Sequence, residues 1–120
     1  MTTPNVSFEF FPPKGLEGSF KLWDTLGVLA PLAPSFVSVT YGAGGTTRTL
    51  THEAVKTINA NFGVDVAAHL TCVDATRSET LEIADSYAAA GVTQIVALRG
   101  DPAGNSGRFA SHPDGFASSV

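Results

Sequence analysis

The chain has little cysteine, little positive charge and no long apolar run, and each shortage removes a class of function. Cys72 is its single cysteine, so no internal disulfide forms, and a lone thiol fits a reducing compartment. Cys72 lies in an apolar, strand-like run without basic neighbours, which reads as a buried structural thiol rather than an activated nucleophile. Only 7 Lys and Arg stand against 11 Asp and Glu, for a formal net charge of -4, and no basic run occurs. Phosphate contacts carry most nucleic-acid affinity, so no nucleic-acid partner is expected. No apolar stretch approaches the roughly 20 residues of a membrane helix, so no membrane span is expected. The start, Met1-Thr2-Thr3-Pro4-Asn5, lacks a basic region leading into an apolar one, which argues against a secretory leader and for the cytoplasm. His52, His69 and His112 do not have metal-ligand spacing and no cysteine pair exists, so no metal site is expected.

What is present is a globular composition, 43% hydrophobic over 120 residues, enough for one domain. Four strand-like runs recur about 30 residues apart, the length of one strand-helix unit. They are Val6 to Phe11, Phe36 to Tyr41, Val66 to Cys72 and Gln94 to Leu98. Helical patterns fill the gaps. The first carries Phe20, Trp23, Leu26 and Leu29 and ends before Pro31. The second places Leu50, Ala54, Ile58 and Phe62 on one face, with Gly63 where a left-handed cap is expected. The third opens on the capping-box pattern Thr76-Arg77-Ser78-Glu79, continues through Leu81, Ala84, Tyr87 and Ala88, and stops at Gly91.

Strand-helix alternation with short connections predicts a parallel sheet covered by helices. Each strand carries polar residues at one parity near its C-terminal end. Ser7 and Glu9, Ser38 and Thr40, His69 and Thr71, and Arg99 and Asp101 form the four pairs. Strands buried on both faces of an open sheet should read as continuous apolar runs. Polar groups gathered at strand C-termini are instead the mark of an active site at the top of a (β/α)8 barrel. A whole barrel needs roughly 200 residues or more. The expectation is therefore an α/β fold, the N-terminal half of a TIM barrel, with residues 1–120 forming a partial domain that stops within its fourth βα unit.

Val6-Ser7-Phe8-Glu9-Phe10-Phe11-Pro12-Pro13 sets one carboxylate in an apolar, aromatic strand. Burying an ionised carboxylate is costly, and aromatic neighbours would favour its protonated form. A glutamate so tuned can serve as a general acid. The plainer alternative is a strand glutamate that faces solvent or pairs with a lysine. Tyr41-Gly42-Ala43-Gly44-Gly45-Thr46-Thr47 follows a strand and precedes a helix, where successive backbone N–H groups can cradle an anion. It matches neither the P-loop nor the dinucleotide fingerprint, and a plain loop stays open. In Arg99-Gly100-Asp101-Pro102 the guanidinium offers a fork for phosphate or carboxylate, Gly100 allows close approach, and Asp101 can accept hydrogen bonds from a ring. An internal Arg-Asp pair is the alternative. Ser7 and Ser38 lack the nucleophile-elbow context of a serine hydrolase.

Ser7 to Pro13, Phe36 to Ala43, His69-Leu70-Thr71-Cys72 and Ala97-Leu98-Arg99-Gly100-Asp101 together closely resemble the methylenetetrahydrofolate reductase family. The resemblance covers nearly the whole chain, in order and at the family's spacing. It implies a barrel holding non-covalent FAD at its strand C-termini. The flavin takes a hydride from NADH or NADPH, and 5,10-methylenetetrahydrofolate is reduced to 5-methyltetrahydrofolate in the same site. On this resemblance Glu9 is the general acid that protonates the folate's N10. Asp101 is the second catalytic residue, which binds the pterin, sits near the flavin and influences its reactivity. Thr40, Tyr41, Ala43, His69, Arg99, Gly100 and Ala117 match flavin contacts.

The chain lacks the family's second half-barrel, and with it further flavin contacts and most of the folate pocket. Alone, it is expected neither to bind FAD tightly nor to turn over. A non-catalytic alternative follows, in which the half barrel pairs with a second copy of itself or with a separately encoded C-terminal half. Another barrel enzyme, such as a phosphate-binding aldolase, would need a Schiff-base lysine at a strand end, whereas Lys14, Lys21 and Lys56 fall in loop or helix patterns.

Overall fold

In the first two strand segments aromatic and β-branched residues alternate with polar ones, while the segments between the strands repeat their apolar residues every three or four positions. The computed structural model describes residues 4–41, 48–100 and 110–120. Its elements alternate as that pattern requires: β1 (Ser7–Phe10), α1 (Leu16–Leu29), β2 (Phe36–Val39), α2 (Arg48–Asn61), β3 (Val66–Thr71), α3 (Arg77–Ala89) and β4 (Gln94–Leu98). The four strands are parallel and lie in sequence order. This is the expected half of a barrel.

The ends of the helices follow their local chemistry. Proline cannot continue a helix, and α1 gives way at Pro31 to a single 3-10 turn, Ala30–Leu32. Gly63 and Gly91 adopt φ of 64° and 86° just past α2 and α3, where a side chain would be strained. The capping box of α3 forms in full: Glu79 N–H donates to Thr76 Oγ1 at 3.1 Å, and Thr76 N–H to Glu79 Oε1 at 3.4 Å.

The register fixes which side chains share a face. Glu9 aligns with Ser38, Ser38 with Ala67, and Ala67 with Gln94. The next row is Phe10, Val39, Ala68 and Ile95. The second row faces the helices, where Val37, Val39, Val66 and Ala68 join Leu26 of α1, Val55 and Ile58 of α2 and Tyr87 of α3 in one core. The first row lines the concave inner face.

The buried helix faces differ from those the sequence suggested. Phe20, Leu50 and Leu81 are exposed. In α2 the buried set is Thr51, Ala54, Val55 and Ile58, and in α3 Thr80 and Tyr87 are buried with Ile83 and Ala84 half-buried between them. Both sets follow the i, i+3, i+4, i+7 spacing of one helical stripe, rotated by about one residue from the expected one.

Candidate active site

The inner face gathers the polar residues at the C-terminal half of the strands. Glu9 lies on β1 and His69 on β3, so β2 separates them. They meet nonetheless: His69 Nε2 is 3.2 Å from Glu9 Oε1. Beside Glu9 on the intervening β2 stands Ser38, buried and small, over which the longer side chains reach. The approach has ion-pair length but not hydrogen-bond alignment, and Nε2 makes no hydrogen bond within the chain. Burial holds the His69 imidazole below its ordinary 6.5, and the Glu9 carboxylate opposes that shift without overcoming it. His69 is therefore neutral near pH 7.

Glu9 does not sit in the aromatic enclosure that its neighbours suggested. Phe8 and Phe10 have the opposite parity and pack into the core, leaving the Glu9 side chain 61% exposed. Its environment is set by His69, not by Phe8 and Phe10.

The other expected residues divide three ways. Thr40 and Tyr41 follow β2 at its open end. Thr40 N–H donates to Phe10 O at 3.0 Å, and Thr40 O accepts from Thr51 Oγ1 at 2.7 Å, tying the strand end to α2. Tyr41 is half-buried and raised above the ordinary tyrosine pKa by that burial. Gly100 has φ of 87°, and a Cβ there would lie 2.7 Å from Val73 Cγ1 and 2.8 Å from Thr71 Cβ. The glycine is thus required by the chain itself, apart from any ligand. Ala43 and Asp101 lie outside the described residues, as do Gly42 to Thr47 and Pro102.

Arg99 departs from the expected parity. His69 aligns with Val96 and Thr71 with Leu98, so Gln94, Val96 and Leu98 share the inner face. The alternation that brings in His69 and Thr71 does not carry Arg99. It follows the strand, is exposed, and its carbonyl accepts from the buried Cys72 thiol at 3.5 Å. The same thiol lies 3.7 Å from Ser118 O, as befits a structural cysteine.

Ala117 is exposed in a tail that lies across the ends of β3 and β4. Arg77 N–H donates to Asp114 O at 2.8 Å, and the Arg77 guanidinium sits 5.6 Å from the centre of the Phe116 ring. Phe116, Ser118 and Val120 close a cavity of about 200 Å³ against Thr71, Cys72 and Thr80.

Three features were not singled out from sequence. Thr71 Oγ1 is buried without a hydrogen bond. Glu9 and His69 pair. A cluster of Arg48, His52 and Tyr87 adjoins Tyr41. The matching parity of Glu9 and His69 was a usable signal for the second. Among the described residues, no group of three or more potential metal ligands converges.

The methylenetetrahydrofolate reductase family model matches residues 1–120. The chain is 46% identical to 5,10-methylenetetrahydrofolate reductase of Pectobacterium carotovorum over 116 residues, 97% of this chain and 38% of that protein. It is 47% identical to the Escherichia coli protein of the same name over 116 residues, with the same coverage. It is 34% identical to methylenetetrahydrofolate reductase (NADH) 1 of Arabidopsis thaliana over 111 residues, 92% of this chain and 19% of that protein. The chain thus spans just over a third of the length of the bacterial relatives. With a family model matched along its whole length and bacterial relatives 46% and 47% identical to it, the chain belongs to the methylenetetrahydrofolate reductase family.

Proposed function

We propose that the chain forms the first half of the catalytic barrel of a cytoplasmic enzyme that reduces 5,10-methylenetetrahydrofolate to 5-methyltetrahydrofolate, using NADH or NADPH and a non-covalent FAD. The observation that carries this reading is the Glu9–His69 pair on the inner face, at 3.2 Å, in a chain of this family. Glu9 is positioned as an acid with open access to a substrate. Neutral His69 lies against one side of its carboxyl group, 3.2 Å from Oε1, and leaves the other oxygen open to a substrate.

The inner face fits a polar ring system. His69 Nε2 and Thr71 Oγ1 are buried without hydrogen bonds inside the chain, and such atoms ordinarily find a partner. On this reading Thr40, Tyr41, Ala43, His69, Arg99, Gly100, Asp101 and Ala117 contact the flavin, and Asp101 also orients the pterin. Bound FAD supplies hydride transfer between the nicotinamide and the folate. Glu9 delivers the proton to folate N10, and the strand ends exclude water from one side of the reacting groups.

The test joins this chain to the C-terminal part of the Escherichia coli relative. The chimera is expected to retain flavin after desalting and to oxidise NAD(P)H with the folate. Glu9→Gln should lower folate reduction by about 10²-fold or more, the usual contribution of a general acid, while flavin reduction by NAD(P)H survives. Undiminished folate reduction in Glu9→Gln would remove the assignment.

A further inference from the structure

The chain has two tyrosines, and they touch. Tyr87, on α3, is fully buried, and its hydroxyl donates to Tyr41 Oη at 3.4 Å. Tyr41 stands at the open end of β2, half-buried. α2 packs against both. His52 stacks on the Tyr87 ring with centroids 4.9 Å apart, and its Nδ1 lies 3.5 Å from Ser86 Oγ. Arg48 lies close enough to Tyr41 to favour its ionised form and reaches Glu79 of α3 at 4.0 Å. Thr51 holds the carbonyl of the residue just before Tyr41.

A phenylalanine at position 87 would fill the same space and stack on His52 equally well. It would also avoid burying a hydroxyl, which needs a partner to offset its desolvation. The hydroxyl of Tyr87 is therefore not explained by packing, and the group it meets is Tyr41. We propose that Tyr87 is a positioning residue: its hydroxyl holds the Tyr41 ring at the mouth of β2, in place before a ligand arrives. The inference rests on Tyr41 as a flavin contact and adds to that site a residue from the helical layer, one strand-helix unit away.

Tyr87→Phe leaves Tyr41 as the sole tyrosine, so tyrosinate absorbance reports on it alone. Two opposite shifts distinguish the cases. Were the ring held by packing, losing the donor would leave the phenolate less stabilised in the same buried place, and its pKa would stay or rise. If the Tyr87 hydroxyl holds the ring, its loss lets Tyr41 reach water, and the pKa falls toward the ordinary 10.0. The fall is expected; no change or a rise overturns the proposal. In the unaltered chain both tyrosines should titrate above the ordinary value, and an ordinary titration for both also overturns it. At neutral pH, the Tyr41 ring resonances should move toward exposed values in Tyr87→Phe, and unmoved resonances count against it. Flavin fluorescence on the same two proteins, each joined to the C-terminal part of the Escherichia coli relative, separates this proposal from the reading beneath it. Binding weakened about tenfold in Tyr87→Phe supports both, since a ring that must be ordered on binding costs affinity. Equal binding by the two proteins overturns the positioning role. No binding by the unaltered chimera counts against the flavin reading, while the tyrosine titration still decides whether Tyr87 holds Tyr41.

Discussion

Glu9 and His69 meet across an intervening strand because Ser38, the β2 residue beside Glu9, is too small to separate them. With Glu9 61% exposed, the pair contributes little to stability by itself, and its effect is mainly on His69. His69 is held below 6.5 by burial, so the folded state prefers the neutral ring. That contribution is fully present above pH 6.5 and is lost as the pH falls through the lower, folded value. Glu9→Gln removes the one group that opposes the shift. The His69 midpoint, read by NMR titration of the ring, should then move still lower; a rise would sink the pairing. At Gly100 the positive φ and the close Thr71 and Val73 side chains leave no room for a methyl group. Gly100→Ala is expected to cost about 1–3 kcal/mol in chemical denaturation, as backbone strain adds to the clash.

Among the elements, α3 is the one whose start is most fully specified by local chemistry. Its capping box is complete, and Thr76→Ala should destabilise the chain by about 1 kcal/mol, seen as a lower thermal midpoint in circular dichroism. That box, the stop at Pro31 and the glycines at 63 and 91 were legible in the sequence because each depends on a few adjacent residues. The strands were legible within two residues at either end for the same reason. The buried helix faces were not: Phe20, Leu50 and Leu81 have the right hydrophobicity, but the rotation of a helix is decided by the sheet beneath it. The site divides along the same line. The inner parity of Glu9 and His69 could be read from alternation, while their contact across β2 could not. Arg99 falls off the inner parity because β3 and β4 pair with His69 opposite Val96, a register that no local pattern reveals. Tyr87 looked like one more core residue of α3, and its hydroxyl became informative only beside Tyr41.

The molecule as a whole is an open arc. Its radius of gyration is 15.1 Å, against about 13.6 Å for a compact domain of this length. β1 and β4 each pair on one side only, and Ile95 and Leu98 of β4 are exposed. Edges of this kind invite pairing with another chain. The mass in solution, measured by sedimentation, should therefore rise with concentration; a constant monomer mass would argue against edge pairing. β3 has the opposite character, with neighbours on both sides and five of its six residues buried. In deuterated buffer, the amide protons of Val66–Thr71 should exchange last, by global unfolding, while those of β1 exchange early by fraying. The strand that carries His69 would then keep its geometry after the strand that carries Glu9 has loosened, so the acid and its partner would part from the Glu9 side first.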